Sequence, residues 1–163
     1  MFFGSYEYNI DEKGRVVIPS KMREAVGTKL FLIKGFEGCI SLYKEEEFQK
    51  YINRIQSLPY EVSKVRKYSR LLLASVVELS IDRQGRMLIP TKTLKEYHIG
   101  AKAVILGQND HIEIWDLDSW NSYKEESEKD FELDAESLLV SDEKWFTYSS
   151  LVKRSNCWVK HQK

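Results

Sequence analysis

Only two cysteines, Cys39 and Cys157, occur among the 163 residues, and they cannot make a disulfide framework or a metal cage. The three histidines, His98, His111 and His161, are scattered, and none has a partner at zinc-ligand spacing. His111 falls at a hairpin position and reads as a turn or strand-surface residue. No G-x-S-x-G elbow, phosphate-binding loop or dinucleotide fingerprint is present. An enzyme, a resident metal and a cofactor are therefore not expected, nor is a small-molecule substrate. Net charge is also lacking, because 25 Lys and Arg balance 25 Asp and Glu. A blanket polycation is excluded, so any nucleic-acid footprint must come from local segregation of charge. The longest apolar run, Leu71 to Val77, is far too short to span a membrane. The opening residues, Met1-Phe2-Phe3-Gly4-Ser5, lack the basic region and apolar core of a signal peptide. The expected location is the cytoplasm, with no membrane partner.

What the sequence does have is a repeat. Residues 10–21 read Ile-Asp-Glu-Lys-Gly-Arg-Val-Val-Ile-Pro-Ser-Lys, and residues 81–92 read Ile-Asp-Arg-Gln-Gly-Arg-Met-Leu-Ile-Pro-Thr-Lys. Seven of these twelve positions are identical. Downstream, Gly27 to Ile33 is echoed by Gly100 to Leu106, and Cys39 to Tyr43 by His111 to Trp115. The chain is a tandem duplication.

Each copy has one local grammar. A short strand (Tyr6 to Ile10; Val77 to Ile81) runs into a turn that opens on Asp11 or Asp82 and carries Gly14 or Gly85. A second strand (Arg15 to Ile18; Arg86 to Ile89) ends at Pro19 or Pro90, which cannot donate to a ladder. Ser20 and Thr91 are placed to cap a helical turn or two, which Gly27 and Gly100 then end. Two apolar runs complete each copy: Leu30 to Ile33 with Cys39 to Tyr43, and Ala103 to Leu106 with His111 to Trp115. Cys39 reads as a core residue. Between the copies, Phe48, Tyr51, Ile52 and Ile55 recur at helical spacing, Leu58-Pro59 breaks the run, and Val62, Val65, Tyr68, Leu71 and Leu72 start it again. An acidic helix is expected near residues 119–131. The fold class is mainly β with helices, α+β.

A unit of some forty residues with four short strands buries little apolar area and leaves open edges. The two copies are therefore expected to interlock with each other or with other chains.

Positive charge crowds both copies, at Lys13, Arg15, Lys21, Arg23 and Lys29, and at Arg83, Arg86, Lys92, Lys95 and Lys102. Acidic residues gather instead between Glu125 and Glu136. Arg15 and Arg86 each follow an aspartate by four residues, which points to an ion pair inside each turn. Arginine also grips phosphate or the guanine edge bidentately, and a two-stranded ribbon fits the major groove. Closing the turn and contacting DNA are compatible, and charge alone leaves both readings open. Two copies per chain, multiplied by association, would give weak heads avidity on repeated sites.

The doubled Asp-x-x-Gly-Arg-(three apolar)-Pro segment, with Phe3-Gly4, Gly27/Gly100, Ile112-Glu-Ile-Trp-Asp116 and Trp120, resembles the MraZ family of bacterial regulators over roughly residues 1–135. The resemblance implies two AbrB-like swapped-hairpin β-barrel modules, 1–46 and 75–117, joined by a helical connector, 47–74. An acidic helix, 118–136, and an atypical tail, 137–163, follow. It implies a ring-shaped homo-oligomer, associated with the nucleoid. It also implies sequence-specific binding of double-stranded DNA at short direct repeats, controlling the division and cell-wall gene cluster. Arg15 and Arg86 would be the main DNA contacts, with Lys13, Lys21, Arg83 and Lys92 supporting them. Asp11, Gly14, Asp82 and Gly85 would shape the turns. The second copy carries Arg83-Gln84 where the first has Glu12-Lys13. The tail, with Trp145, Phe146, Lys153, Arg154 and Trp158, matches nothing in the family and is expected to be a peripheral helix or tail. The alternative is an antitoxin-like or scaffold module whose partner is another protein, bound through the acidic helix and aromatic tail.

Overall fold

The computed structural model describes residues 1–158, with side chains through Leu138. The first copy supplies β1 (Ser5–Asn9), β2 (Arg15–Val17), α1 (Ser20–Val26), β3 (Lys29–Lys34) and β4 (Ile40–Tyr43). A helix pair follows, α2 (Glu45–Gln56) and α3 (Ser63–Ala74). The second copy repeats the series as β5 (Val77–Ser80), β6 (Arg86–Leu88), α4 (Thr91–Glu96), β7 (Lys102–Gln108) and β8 (His111–Asp116), and α5 (Leu117–Trp158) ends the description.

The copies interlock within the one chain. Six antiparallel strands run in the order β1-β7-β8-β4-β3-β5, so each copy's first strand pairs with the other copy's third. β2 and β6 form a separate two-stranded ribbon. Exchanging every strand for its counterpart reverses the sheet order without changing it, so the duplication is expressed as an internal two-fold. The axis passes between equivalent residues, Ser41 facing Glu113 in the sheet and Val16 facing Met87 in the ribbon. Met1–Trp120 is one compact unit holding both copies. A strand of three to seven residues cannot close a core alone. Together the strands bury Leu30, Leu32, Ile40, Leu42, Ile105 and Ile112 in one cluster with Val16, Ile18, Met87 and Ile89 of the ribbon segments.

The helix pair covers a smaller cluster, Ile52, Ile55 and Leu72 over Ile33 and Tyr43. Phe48 stacks on Phe31 at 4.4 Å, and the hydroxyls of Tyr51 and Tyr68 are hydrogen-bonded at 2.6 Å. Of the apolar stripe expected in the second helix, Val62 and Leu71 stay exposed. Cys39 is fully buried beside Trp115, as its strand pattern indicates, and burial pushes its thiol pKa up to about 12.

Three local expectations are corrected. Pro19 and Pro90, extended at ψ 134° and 132°, hold the N-cap positions, so Ser20 and Thr91 are the first helical residues and cap nothing. A proline turns the chain from strand to helix there without leaving an N–H unpaired. Gly27 does end α1 at positive φ, but α4 ends through His98 at φ 55°. Gly100 instead gives its N–H to Asp116 Oδ1 at 3.0 Å. Finally, α5 runs well past the acidic segment, to Trp158. No glycine or proline interrupts that stretch. Of the atypical tail, the side chains of residues 139–158 and all of residues 159–163 lie outside the described residues. No helix of the described residues is long and apolar enough to cross a membrane.

Candidate nucleic-acid interface

The two turns are built alike. Asp11 Oδ1 accepts the backbone N–H groups of Lys13 and Arg15, both at 2.9 Å, and its Oδ2 accepts Arg15 Nε at 2.6 Å. Asp82 does the same with Gln84 and Arg86, at 2.9 Å for both backbone bonds and 2.8 Å for Arg86 Nε. The aspartate carbonyls close each turn on the N–H of Gly14 or Gly85, at 2.8 and 2.9 Å. Both glycines sit at positive φ, 85° and 75°, which other residues adopt at a cost. Backbone hydrogen bonding by Arg15 and Arg86 leads the effects holding the two carboxyls below the usual Asp range.

The swapped topology then brings the turns together. Ile18 donates to Gly85 O and Ile89 to Gly14 O, both at 2.9 Å, so each ribbon strand ends against the other copy's turn. Val16 and Met87 point into the core, each 1% exposed. Strand alternation therefore puts Arg15, Val17, Arg86 and Leu88 on the ribbon's outer face. Arg15 pairs with Leu88 and Val17 with Arg86, which sets the two arginines diagonally, roughly 7–8 Å apart. Each spends its Nε on its aspartate. The terminal amino groups, with most of the guanidinium's donors, have no partner among the described residues.

Of the supporting cations, Lys13 and Arg83 lie on the turns and are exposed. Lys21 and Lys92 are exposed in the first turns of α1 and α4, and neither forms a hydrogen bond or ion pair among the described residues. Arg23 was counted from the sequence only among the cations of the first copy and not as a contact. Its Nε donates to Ile18 O at 2.8 Å, and its side chain lies against Gly85 of the other copy. Its sequence counterpart is Leu94, so the repeat pattern gave no signal for it; only the swap places it.

His111 lies half-buried at the start of β8, as a strand residue stacked on Tyr43 at 4.7 Å. It bonds Asp110 through Nδ1 at 2.7 Å and faces Glu113 through Nε2 at 3.5 Å. No group of three or more His, Cys, Asp or Glu side chains among the described residues is arranged to hold a metal.

The MraZ family model, described as antitoxin-like, matches the chain twice, over residues 1–71 and 72–142. The chain is a member of the MraZ family. The two matched spans divide between the copies, in the last turn of α3. Among its relatives, a protein of Syntrophomonas wolfei named transcriptional regulator MraZ is 39% identical over 140 residues, 85% of this chain and 97% of that protein. Proteins of the same name from Lactobacillus gasseri and Acetivibrio thermocellus are each 40% identical, over 85% and 86% of this chain and 96% and 98% of theirs. The family model thus covers both turns and the helix pair, and these relatives are named as transcriptional regulators and not as enzymes. The chain is accordingly a transcription regulator.

Proposed function

We propose that this regulator acts by binding double-stranded DNA through the β2–β6 ribbon, reading short direct repeats as a homo-oligomer. The observation that carries this reading is the ribbon's outer face. Two arginines from two copies stand there diagonally, each held by an aspartate that leaves its terminal donors free. A two-stranded ribbon fits the major groove, and a guanidinium presented this way can take a phosphate or the O6/N7 edge of guanine. Arg15 and Arg86 are the principal contacts, with Lys13, Lys21, Arg83 and Lys92 adding phosphate contacts. One ribbon neutralises few phosphates, so affinity comes from several ribbons in a closed ring engaging repeated sites. The protein works in the cytoplasm, at the nucleoid, on the division and cell-wall gene cluster.

The test is binding of a labelled promoter fragment with short direct repeats, measured at several salt concentrations. Arg15→Ala and Arg86→Ala should each weaken binding, by about 10- to 100-fold for a good bidentate contact. Retained affinity in the double variant would remove both residues from the interface. Particle mass with and without the duplex tests the ring.

An antitoxin-like role toward a protein partner is the second reading. It is favoured by the family's description and by exposed Phe131, Leu133 and Leu138 on α5. Purification from the native host without a stoichiometric protein partner would count against it.

A further inference from the structure

The internal two-fold is broken at the turns, and always in the direction of more arginine at the second. The first turn carries Glu12 and Lys13 where the second carries Arg83 and Gln84. Over the six residues 10–15 the charges of Asp11, Glu12, Lys13 and Arg15 cancel, whereas over 81–86 Asp82, Arg83 and Arg86 leave one positive. The flanking helices carry equal net charge, Lys21, Arg23 and Glu24 on α1 and Lys92, Lys95 and Glu96 on α4, but differ in the side chain set against the turn glycine. Because each ribbon strand ends on the other copy's turn, α1 flanks the second turn and α4 the first. At the position where α4 presents the buried Leu94 to Gly14, α1 presents Arg23 to Gly85.

Arg23, Arg83 and Asp82 line one hollow of about 170 Å³, whose floor includes Ile18 and Gly85. Asp82's oxygens accept Arg86 Nε and two backbone N–H groups, and it makes no ion pair with Arg23 or Arg83. Arg23 spends its Nε on the Ile18 carbonyl, and neither Arg23 nor Arg83 forms an ion pair among the described residues. The matching hollow at the first turn is lined by Asp11, Glu12 and Lys95. Lysine there is a single point charge beside a carboxylate, whereas arginine offers a planar fork suited to phosphate.

We propose that Arg23, supplied by the first copy's helix, joins Arg83 and Arg86 to make the second turn the dominant phosphate-gripping head of each chain. The proposal rests on the ribbon's being the DNA-binding face. Its ligand is the backbone phosphate of duplex DNA, so it governs affinity and orientation on the site, and the first turn contributes less to both. A chain with unequal heads has a direction on DNA, which suits direct repeats, themselves directional.

The experiment titrates a labelled duplex carrying short direct repeats with full-length protein over a salt series. The variants are Arg23→Gln, Arg23→Lys, Arg83→Gln, Lys13→Gln and Lys95→Gln, and the thermal midpoint of each is measured alongside. Removing one phosphate contact flattens the slope of log affinity against log salt by about 1, which is about eightfold near 0.1 M salt. Arg23→Gln and Arg83→Gln should each show that change, Arg23→Lys should keep the wild-type slope, and Lys13→Gln and Lys95→Gln should change it by less than half as much. A purely structural Arg23 would lower the midpoint and leave the slope alone, and that result overturns the proposal. So does an equal loss at the two first-turn lysines. Arg83→Gln, on an exposed turn, reads the same head if Arg23→Gln fails to fold. A wild-type protein that does not bind the duplex at all overturns the DNA-binding reading itself.

Discussion

Val16 of the first copy and Met87 of the second stand directly opposite each other in the ribbon, both 1% exposed and both in the central core. This one pair, on the internal two-fold, fastens the arginine-bearing outer face to the hydrophobic interior. Met87→Ala should therefore destabilise the protein by about 2–5 kcal/mol, the usual cost of emptying a buried methionine site. Urea unfolding followed by circular dichroism measures it. A loss below about 1 kcal/mol would mean that the ribbon is not anchored through this pair.

The two turn glycines should differ. Both have positive φ, so alanine at either costs about 1–2 kcal/mol in backbone strain. At Gly14 an added methyl would also collide with the backbone carbonyl of Ile89, which is fixed by its place in the ribbon. At Gly85 the nearest atoms it meets belong to the flexible Arg23 side chain. Gly14→Ala should unfold at a distinctly lower temperature than Gly85→Ala, whereas Gly85→Ala should disturb DNA binding by displacing Arg23. Equal midpoints would argue against the rigid contact at Gly14.

Acid should loosen both turns together. The Asp11 and Asp82 carboxyls are lowered by hydrogen bonds from Arg15 and Arg86, so folding favours their charged forms. Their contribution is complete above the ordinary Asp value, about 4, and fades as pH falls below it through the lowered values. In Asp11→Asn/Asp82→Asn the side-chain oxygens still accept the backbone N–H groups, but nothing titrates. Thermal midpoints followed downward from about pH 6 should fall more steeply in wild type than in this variant. Superimposed curves would show that the carboxylate charge is not what holds the turns.

His111 should give the opposite slope. Burial disfavours its charged form, yet hydrogen bonds to Glu113 and Asp110 outweigh burial and leave its pKa raised. Its contribution is therefore full below the ordinary His value, about 6.5, and is lost as pH rises through the raised one. His111→Gln should flatten the decline of stability above that pH. An unchanged decline would assign it to other groups.

Much of this was legible in the sequence because the two copies annotate each other. The similarity of residues 10–21 to 81–92 foretold two matching turns, and the four-residue Asp–Arg spacing foretold the ion pair in each. The run of three apolar residues after each arginine marked the second strand of each copy without telling which of its faces is buried. It could not tell which strand is the neighbour: the pairing of Ser5 with Leu106 is a long-range fact that no local period encodes. Arg23 was hidden for the same reason, since its importance depends on lying against Gly85 of the other copy. Ser20 and Thr91 misled as caps because their propensity was read without the preceding prolines, which already make the strand-to-helix bend.

The pairing of β1 with β7 also sets the order of events during synthesis. β1 is made before its partner, which follows about a hundred residues later. At roughly 5–20 residues per second the ribosome takes about 5–20 seconds to cover that distance. Through that interval Tyr6, Tyr8 and Ile10 have no sheet to join, while β3 and β4, adjacent in sequence, can already form their hairpin. β1 is thus left exposed in the nascent chain, and closure of the core waits on the second copy.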